Sequence, residues 1–275
     1  MAAIKDKYFR KWTLPHIWCP GCGHGTITSA VVRAIDRVGL DQDKTVIVSG
    51  IGCSGRAPGY LDFNTLHTTH GRALAFATGV KMSRPELNVI VLTGDGDAAA
   101  IGGNHLIHAA RRNIDITTVC YNNSIYGMTG GQYSPLTPPE SVATTAPYGN
   151  VDPSFDLCKL VKGAGGSYVA RSTVYHVVPM TNYITRALEK KGFSFVEVVS
   201  QCPIYFGRRN KLPSSMDLLN WQKENSVPIQ KAEKMDPDEL AGKIVIGEFA
   251  DTDTPEYAQA YDDIIMKKAK KRGRS

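Results

Sequence analysis

The sequence predicts an α/β fold with a central, mainly parallel sheet flanked by helices. Two apolar, β-branched runs, residues 89–93 and 116–121, have the composition of buried strands. Residues 98–113 between them predict a helix, so the unit is strand, helix and parallel strand. Such a crossover brings the carboxyl ends of both strands to one edge of the sheet, where α/β proteins bind ligands.

Polar residues follow both strands at this edge. Asp95 lies between Gly94 and Gly96 after the first strand, and Asn122 and Asn123 follow the second. Carboxylate, amide and carbonyl oxygens form the partly hydrated site that Mg²⁺ prefers, usually beside phosphate. The two glycines lack the Cβ atoms that would keep a diphosphate from the backbone, and the predicted helix points its amino end at the same place. The pattern therefore predicts a site for magnesium and a diphosphate.

This arrangement resembles the GDG…NN motif of thiamine-diphosphate enzymes. The resemblance implies that Asp95, Asn123 and the backbone carbonyl of Ile125 bind Mg²⁺ against the diphosphate of the cofactor. Two ordinary turns are the alternative, because a Gly-Asp-Gly turn alone is common. The spacing of the two halves, each preceded by a strand, favours the motif.

Length and composition limit the possible protein classes. At 275 residues and 42% hydrophobic residues, the chain can bury a full core as one large domain, or as one domain with an appendage. No apolar run is long enough to span a bilayer and the amino end lacks a signal-peptide core, so we expect a cytoplasmic protein. Much of the net charge of +6 lies in residues 267–275. We expect a solvated tail there, with nucleic acid, a membrane surface or an acidic partner as alternatives.

Six cysteines without a secretory signal indicate metal or redox chemistry rather than a disulfide framework. Cys19 and Cys22 form a C-x-x-C turn before a predicted helix, whereas Cys53 and Cys202 each follow a predicted strand. Four thiolates suit either zinc or a four-iron, four-sulfur cluster. Composition does not decide between them. A cluster beside thiamine diphosphate could accept electrons, whereas zinc could not.

The two other cysteines have a different environment. Cys120 lies inside a predicted strand and Cys158 on a helical run, so both are expected to be small core residues. Further elements are predicted from periodicity. These are strands at residues 45–49 and 195–199, and helices at residues 26–38, 217–226, 236–243 and 257–270.

From about residue 18 to residue 209 the chain resembles the beta subunit of the 2-oxoacid:ferredoxin oxidoreductases. Six motifs in one order carry the resemblance: WCPGCGHG, SGIGCSGR, THGRALAFATG, GDGDAAAIGG, NNSIYGMTGGQ and SQCPIYFGR. It implies a thiamine-diphosphate-binding fold, with residues 1–210 as the diphosphate-binding domain that carries the iron-sulfur site. Residues 211–275 would be a helical or irregular C-terminal extension that packs on a partner.

The resemblance also implies roles for individual residues. Cys19, Cys22, Cys53 and Cys202 would bind a 4Fe-4S cluster. His70 and Arg72 would approach the cofactor or substrate, with a helix-capping role as the alternative, and His24 would lie beside the cluster or the cofactor. The residues expected to contact thiamine diphosphate are Gly52, Cys53, Ser54, His70, Gly94, Asp95, Gly96, Asp97, Asn123, Ile125, Tyr126, Gly127, Met128 and Thr129.

The chain has room for only one of the two α/β domains that a thiamine-diphosphate site needs. We therefore expect an alpha subunit to supply the pyrimidine pocket and the catalytic Glu, in a heterodimer or a dimer of heterodimers. The expected reaction converts 2-oxoglutarate and coenzyme A to succinyl-CoA and CO₂ and reduces ferredoxin. Pyruvate or a branched-chain 2-oxoacid is the alternative substrate, and a non-redox lyase or an electron-transfer subunit is the alternative protein class. The cations considered for the distal carboxylate of 2-oxoglutarate are Arg56, Arg72, Arg208 and Arg209.

Overall fold

The protein is described by a computed structural model over residues 2–272, and within this range its strands form one eight-stranded sheet. The strands are β1 (Thr45–Ser49), β2 (Asn64–His67), β3 (Asn88–Gly94), β4 (Thr117–Asn122), β5 (Tyr168–Thr173), β6 (Ser194–Val199), β7 (Ser226–Pro228) and β8 (Ile244–Asp251). Their spatial order is β2-β1-β3-β4-β6-β5-β8-β7. The first six strands in this order run parallel, which confirms the predicted fold class.

The helices cover both faces of this sheet. They are α1 (Ala2–Tyr8), α2 (His24–Val38), α3 (Ala57–Tyr60), α4 (Ala73–Ser83), α5 (Gly103–Arg111), α6 (Leu157–Ala164), α7 (Val177–Glu189), α8 (Ser215–Asn225), α9 (Ile229–Ala232), α10 (Pro237–Leu240) and α11 (Tyr257–Arg272). No helix within residues 2–272 is long and apolar enough to cross a membrane.

Strand β3 shows why the predicted strands are apolar along their whole length. Ile90 and Leu92 pack into the core beneath α2 and α7, whereas Val89 and Val91 pack into the core beneath α4, α5 and α6. Side chains alternate between the two faces of a strand, so a sheet covered on both sides needs apolar residues at every position. All four predicted strands agree with the structure to within one residue at each end.

Three elements differ from the prediction. The helix predicted at residues 236–243 is only the four-residue α10. The predicted helix at residues 98–113 begins as a π-helical turn, Asp97–Ile101, and continues as α5. The C-terminal extension is not only helical or irregular, because β8 pairs antiparallel with β5 and joins the sheet. Gly247, at φ 136° in β8, lies near an irregularity in that pairing. The proposed domain boundary at residue 210 stays a prediction.

The basic C-terminal segment lies in the last turns of α11. Residues 267–271 are exposed to solvent, as expected for a solvated tail. Residues 273–275 of the predicted tail lie outside the described residues.

Candidate functional site

A cavity of about 480 Å³ opens at the carboxyl ends of β1, β3 and β4. It is bordered by all the residues that the sequence implies for cofactor contact. The full lining is His24, Ile51, Gly52, Cys53, Ser54, His70, Gly94, Asp95, Gly96, Asp97, Tyr121, Asn123, Ile125, Tyr126, Gly127, Met128, Thr129 and Gln132. The two halves of the predicted motif thus meet in one concave site.

Three oxygen-bearing groups converge on one side of this cavity. The oxygen end of the Asn123 amide lies 3.1 Å from Asp95 Oδ1 and 2.8 Å from the carbonyl oxygen of Ile125; turned over, its nitrogen would donate to both. Adjacent oxygens in an Mg²⁺ octahedron lie about 2.9 Å apart, because each Mg–O distance is about 2.0–2.1 Å. Both distances therefore match the spacing of neighbouring oxygen ligands around Mg²⁺, and phosphate and water would complete the shell.

Asp95 is almost fully buried at this site. Burial raises the pKa of its carboxyl to about 7, and hydrogen bonds from the Ser134 hydroxyl and the Gly96 backbone only partly oppose this effect. A desolvated carboxylate is costly unless a cation compensates it. The chemistry of Asp95 therefore matches that of a metal ligand.

Ser134 is a site residue that the sequence analysis missed. It begins the Pro-rich segment at residues 134–140, yet it is buried and its hydroxyl donates to Asp95 Oδ2 at 2.5 Å. Thr137 in the same segment donates to the carbonyl of Ser124. The segment is thus ordered and packs against the site. A single serine in a Pro-rich run has no sequence pattern that would have identified it as a site residue.

Asn122, the first asparagine of the pair, makes hydrogen bonds within the protein and does not line the cavity. Its Nδ2 donates to Glu197 Oε1 at 2.7 Å, and its Oδ1 accepts from the backbone N–H of Ser124. Glu197 is buried in β6 and accepts from Arg171 Nε at 2.8 Å, and Arg171 also pairs with Asp156. This buried network fixes the loop that carries Asn123.

We expect Arg171→Met to destabilise the metal-free chain by about 3–5 kcal/mol, because the buried Glu197 carboxylate loses its cation and keeps only neutral hydrogen-bond donors such as Asn122. The measurement is urea unfolding. The matched control is Arg186→Met, since Arg186 pairs with Glu248 and Asp251 but is 49% exposed. The control should lose less than about 1 kcal/mol. Equal losses in the two variants would contradict the role given to the buried pair.

Asp97 connects the loop before α4 to the end of β3. Its Oδ1 accepts from the backbone N–H of Gly71 at 2.6 Å and lies 2.9 Å from His70 Nδ1, and its Oδ2 accepts from Thr93 Oγ1 at 2.8 Å. Both oxygens of the Asp97 carboxylate therefore have partners in the protein itself. His70 is held at the cavity wall, with its ring centroid 6.0 Å from that of Tyr126. Its contact with cofactor or substrate stays a prediction.

Arg72 does not line the cavity. Its guanidinium donates to the carbonyl of Ile101 at 3.0 Å and so braces the π-helical turn. Arg56, Arg208 and Arg209 are exposed, and none of them lines the cavity. The described part of this chain therefore places none of the four arginines at the cavity wall.

The predicted cysteine ligands lie next to the oxygen site. The sulfurs of Cys53 and Cys202 are both 3.6 Å from the position that a Cβ on Gly127 would occupy, and Asn123 Nδ2 is 3.7 Å from it. Cys22 interacts electrostatically with Cys53, Cys202 and Cys19. A side chain at residue 127 would fill the space between the thiols and the oxygen site, which glycine leaves open.

Burial raises the pKa of the Cys22 thiol to about 12 and that of Cys53 to about 11, and the neighbouring thiols add to the effect. Burial also raises the pKa of Cys202, but its sulfur accepts backbone N–H groups from Ile204, Tyr205 and Phe206, which oppose the rise. Such donors stabilise a thiolate, the form that binds metals. Within residues 4–271, no three His, Cys, Asp or Glu side chains are grouped closely enough to bind a metal ion as they stand. Cys120 and Cys158 are fully buried in the core, as predicted.

Comparisons with known proteins agree with this geometry. The family described as thiamine pyrophosphate enzyme, C-terminal TPP binding domain matches residues 50–198. The 2-oxoglutarate synthase subunit KorB of Methanothermobacter marburgensis is 55% identical over 265 residues, which cover 96% of this chain and 93% of that protein. The subunit of the same name from Methanocaldococcus jannaschii is 52% identical over 261 residues, covering 95% and 97%.

A solved structure is also similar. It is a 2-oxoglutarate:ferredoxin oxidoreductase from Magnetococcus marinus with 2-oxoglutarate, coenzyme A and succinyl-CoA bound. The TM-score is 0.85 at 36% sequence identity, and the alignment covers 96% of this chain and 90% of that one. The similarity therefore extends over almost the whole fold.

Proposed function

Because the chain belongs to the beta subunits of the 2-oxoacid:ferredoxin oxidoreductases, we propose that it oxidatively decarboxylates 2-oxoglutarate to succinyl-CoA together with an alpha subunit. One observation carries the proposal most strongly. The oxygen site and two cysteine sulfurs border the same glycine, Gly127. The proposed sites for decarboxylation and for electron acceptance are thus adjacent, as an oxidative rather than a non-oxidative decarboxylation requires.

Mg²⁺ and thiamine diphosphate would be bound by Asp95, Asn123 and the carbonyl of Ile125. When bound, thiamine diphosphate supplies the nucleophilic carbon and the electron sink for decarboxylation of a 2-oxoacid. The chain contributes by orienting the metal: Ser134 fixes the Asp95 carboxylate, and Asn122 fixes the loop of Asn123. The two oxygen–oxygen distances from Asn123, to Asp95 and to Ile125, match the ligand spacing of Mg²⁺ and support this assignment.

The four loop cysteines would bind a 4Fe-4S cluster. Oxidation of a 2-oxoacid releases two electrons, and a cluster can accept them one at a time, whereas zinc has no accessible redox state. The backbone donors to Cys202 and the electrostatic interactions among the four thiols support a thiolate ligand set. Ferredoxin is the proposed electron acceptor and coenzyme A the proposed acyl acceptor.

The names of the relatives imply a partner subunit. We propose that this alpha subunit supplies the pyrimidine pocket and the catalytic Glu, in a heterodimer or a dimer of heterodimers. Neither His70 nor Arg72 carries a carboxyl group, so this chain's own predicted positioning residues do not replace that Glu. The cytoplasmic location expected from the sequence stays a prediction.

The test is a ferredoxin-reduction assay of the complex with 2-oxoglutarate or pyruvate as substrate and coenzyme A present. We expect kcat/KM to favour 2-oxoglutarate by roughly 100-fold or more, because polar groups that bind its second carboxylate in the complete site, with the alpha subunit, would stay unpaired with pyruvate. Omission of coenzyme A is the control for acyl transfer. A clear preference for pyruvate would overturn the substrate, and turnover without ferredoxin reduction would overturn the oxidoreductase.

A further inference from the structure

His24 lies between a predicted cluster ligand and the cofactor cavity. Its Nδ1 is 3.2 Å from Cys22 Sγ, and its side chain lines the cavity that holds Asp95 and Asn123. Cys22 lines a different cavity, of about 550 Å³, and not the cofactor cavity. The imidazole thus contacts Cys22 and borders the cofactor cavity at the same time.

The ring of His24 is fixed in place. It is 1% exposed, and its centroid lies 5.9 Å from the Trp18 ring and 5.2 Å from the Tyr121 ring. Trp18 is itself anchored, because its Nε1 donates to the carbonyl of Cys53 at 2.7 Å. A ring packed between two such neighbours keeps the same nitrogen directed at Cys22.

The chemistry of Cys22 decides which group donates in this contact. A cysteine that binds iron is a thiolate and has only lone pairs to offer, so the nitrogen facing it must carry the hydrogen. The backbone N–H of His24 also donates to this sulfur. One residue therefore directs two N–H groups at one ligand, and only one of them depends on the side chain.

We propose that His24 is a positioning residue that donates Nδ1–H to the Cys22 thiolate and thereby raises the reduction potential of the cluster. The inference rests on the cluster assigned in the proposed function. Reduction adds one electron, and part of its charge falls on the ligand sulfurs, so an N–H donor stabilises the reduced form more than the oxidised form. No proton transfer is needed for this effect.

The test compares midpoint potentials of the cluster in the complex with the partner subunit, measured by redox titration with EPR detection. His24→Leu and His24→Asn form a matched pair of similar shape, and only the asparagine keeps an N–H donor close to the position of Nδ1. At a fixed potential we expect the ratio of reduced to oxidised cluster to fall about tenfold in His24→Leu, equivalent to about 59 mV for one electron. His24→Asn should lie nearer the wild type.

His16→Leu is the control, because His16 packs on the same Trp18 ring, with centroids 5.1 Å apart, but is exposed. It should leave the potential unchanged. Equal potentials in wild type, His24→Leu and His24→Asn would overturn the inference. An equal shift in His16→Leu would also overturn it, since any change in aromatic packing would then suffice.

A measurement on the wild type tests the inference even if the variants fail to assemble. After labelling with histidine that carries ¹⁵N only in the imidazole ring, the reduced cluster should show a ¹⁵N coupling in pulsed EPR that is absent from the unlabelled protein. Iron and sulfide are assayed first. Their absence would defeat the proposed function, whereas a complete cluster without the coupling would defeat only the role of His24.

Discussion

Replacing Asp95 by asparagine is expected to abolish retention of Mg²⁺ and thiamine diphosphate while stabilising the metal-free chain above pH 7. Cofactor binding weakens and the stability of the metal-free chain rises, because the buried carboxylate is favourable only when a cation lies beside it. In the loaded protein the carboxylate compensates a cation. In the metal-free protein it has only hydrogen bonds, of which that from Ser134 is the main side-chain contribution.

The loss of binding follows from charge. Asparagine keeps an oxygen at this position but leaves the buried cation without its carboxylate, and removing one member of a buried ion pair costs about 3–5 kcal/mol. This corresponds to roughly a 100- to 4000-fold weaker affinity. Asn123 and Ile125 provide only neutral oxygens, so they do not replace the lost charge.

The gain in stability follows from the pKa. The folded pKa of Asp95, about 7, lies above the unfolded value near 3.8. The folded chain therefore binds more protons than the unfolded chain between these values, and the free energy of unfolding falls as pH rises through this window. The stability that the protonated form provides is complete below the unfolded pKa and lost above about pH 7. Asparagine removes this dependence and should add up to about 4 kcal/mol at pH 8.

Calorimetric titration with Mg²⁺ and thiamine diphosphate measures the first effect, and urea unfolding in a chelator at pH 5 and pH 8 measures the second. Asp217→Asn is the control, since Asp217 is a partly exposed capping residue of α8, outside the cofactor cavity. It should leave binding unchanged and lower stability slightly. Retained cofactor affinity in Asp95→Asn would remove this residue from the metal site. A loss of stability at pH 8 would show that the carboxylate has a structural role.

The position of the site could be predicted from sequence because one rule of chain geometry governs it. Each buried strand is a continuous apolar run, and parallel strands end at the same edge. Asp95, Asn123 and Cys53 each follow such a run, so their convergence required no knowledge of loop conformation. The same rule separated Cys120, which lies within a strand, from Cys202, which follows one.

The missed contacts depend on chain segments that carry no periodic signal. Ser134 reaches Asp95 across 39 residues of sequence, through a loop whose path depends on tertiary packing. Glu197 lies inside an apolar strand, where a carboxylate is acceptable only because β5 places Arg171 beside it. Strand β8 was missed because Gly247 interrupts a short run that follows several turns and short helices. In each case the local structure depends on a contact with a distant part of the chain, which the local sequence does not reveal.

Replacing Cys202 by alanine is expected to remove most of the iron and sulfide from anaerobically purified protein, whereas Cys120→Ala should retain them. Cys202 is the cysteine on which three backbone N–H groups converge, from Ile204, Tyr205 and Phe206, so its thiolate is the best prepared of the set. It also connects β6 to the amino-terminal pair, because its sulfur interacts with that of Cys19. Without it, the set loses one of the two sulfurs that border Gly127.

The wild type should contain about four iron and four sulfide per chain, the content of one cubane cluster. Cys120→Ala controls for the loss of a buried thiol, because Cys120 is fully buried within β4. Its cost should be limited to a small cavity. One zinc and almost no iron in the wild type would remove the electron path beside the cofactor cavity. The oxygen site at Asp95 would then serve a non-oxidative reaction, because the adjacent thiols would hold a metal that cannot take up electrons.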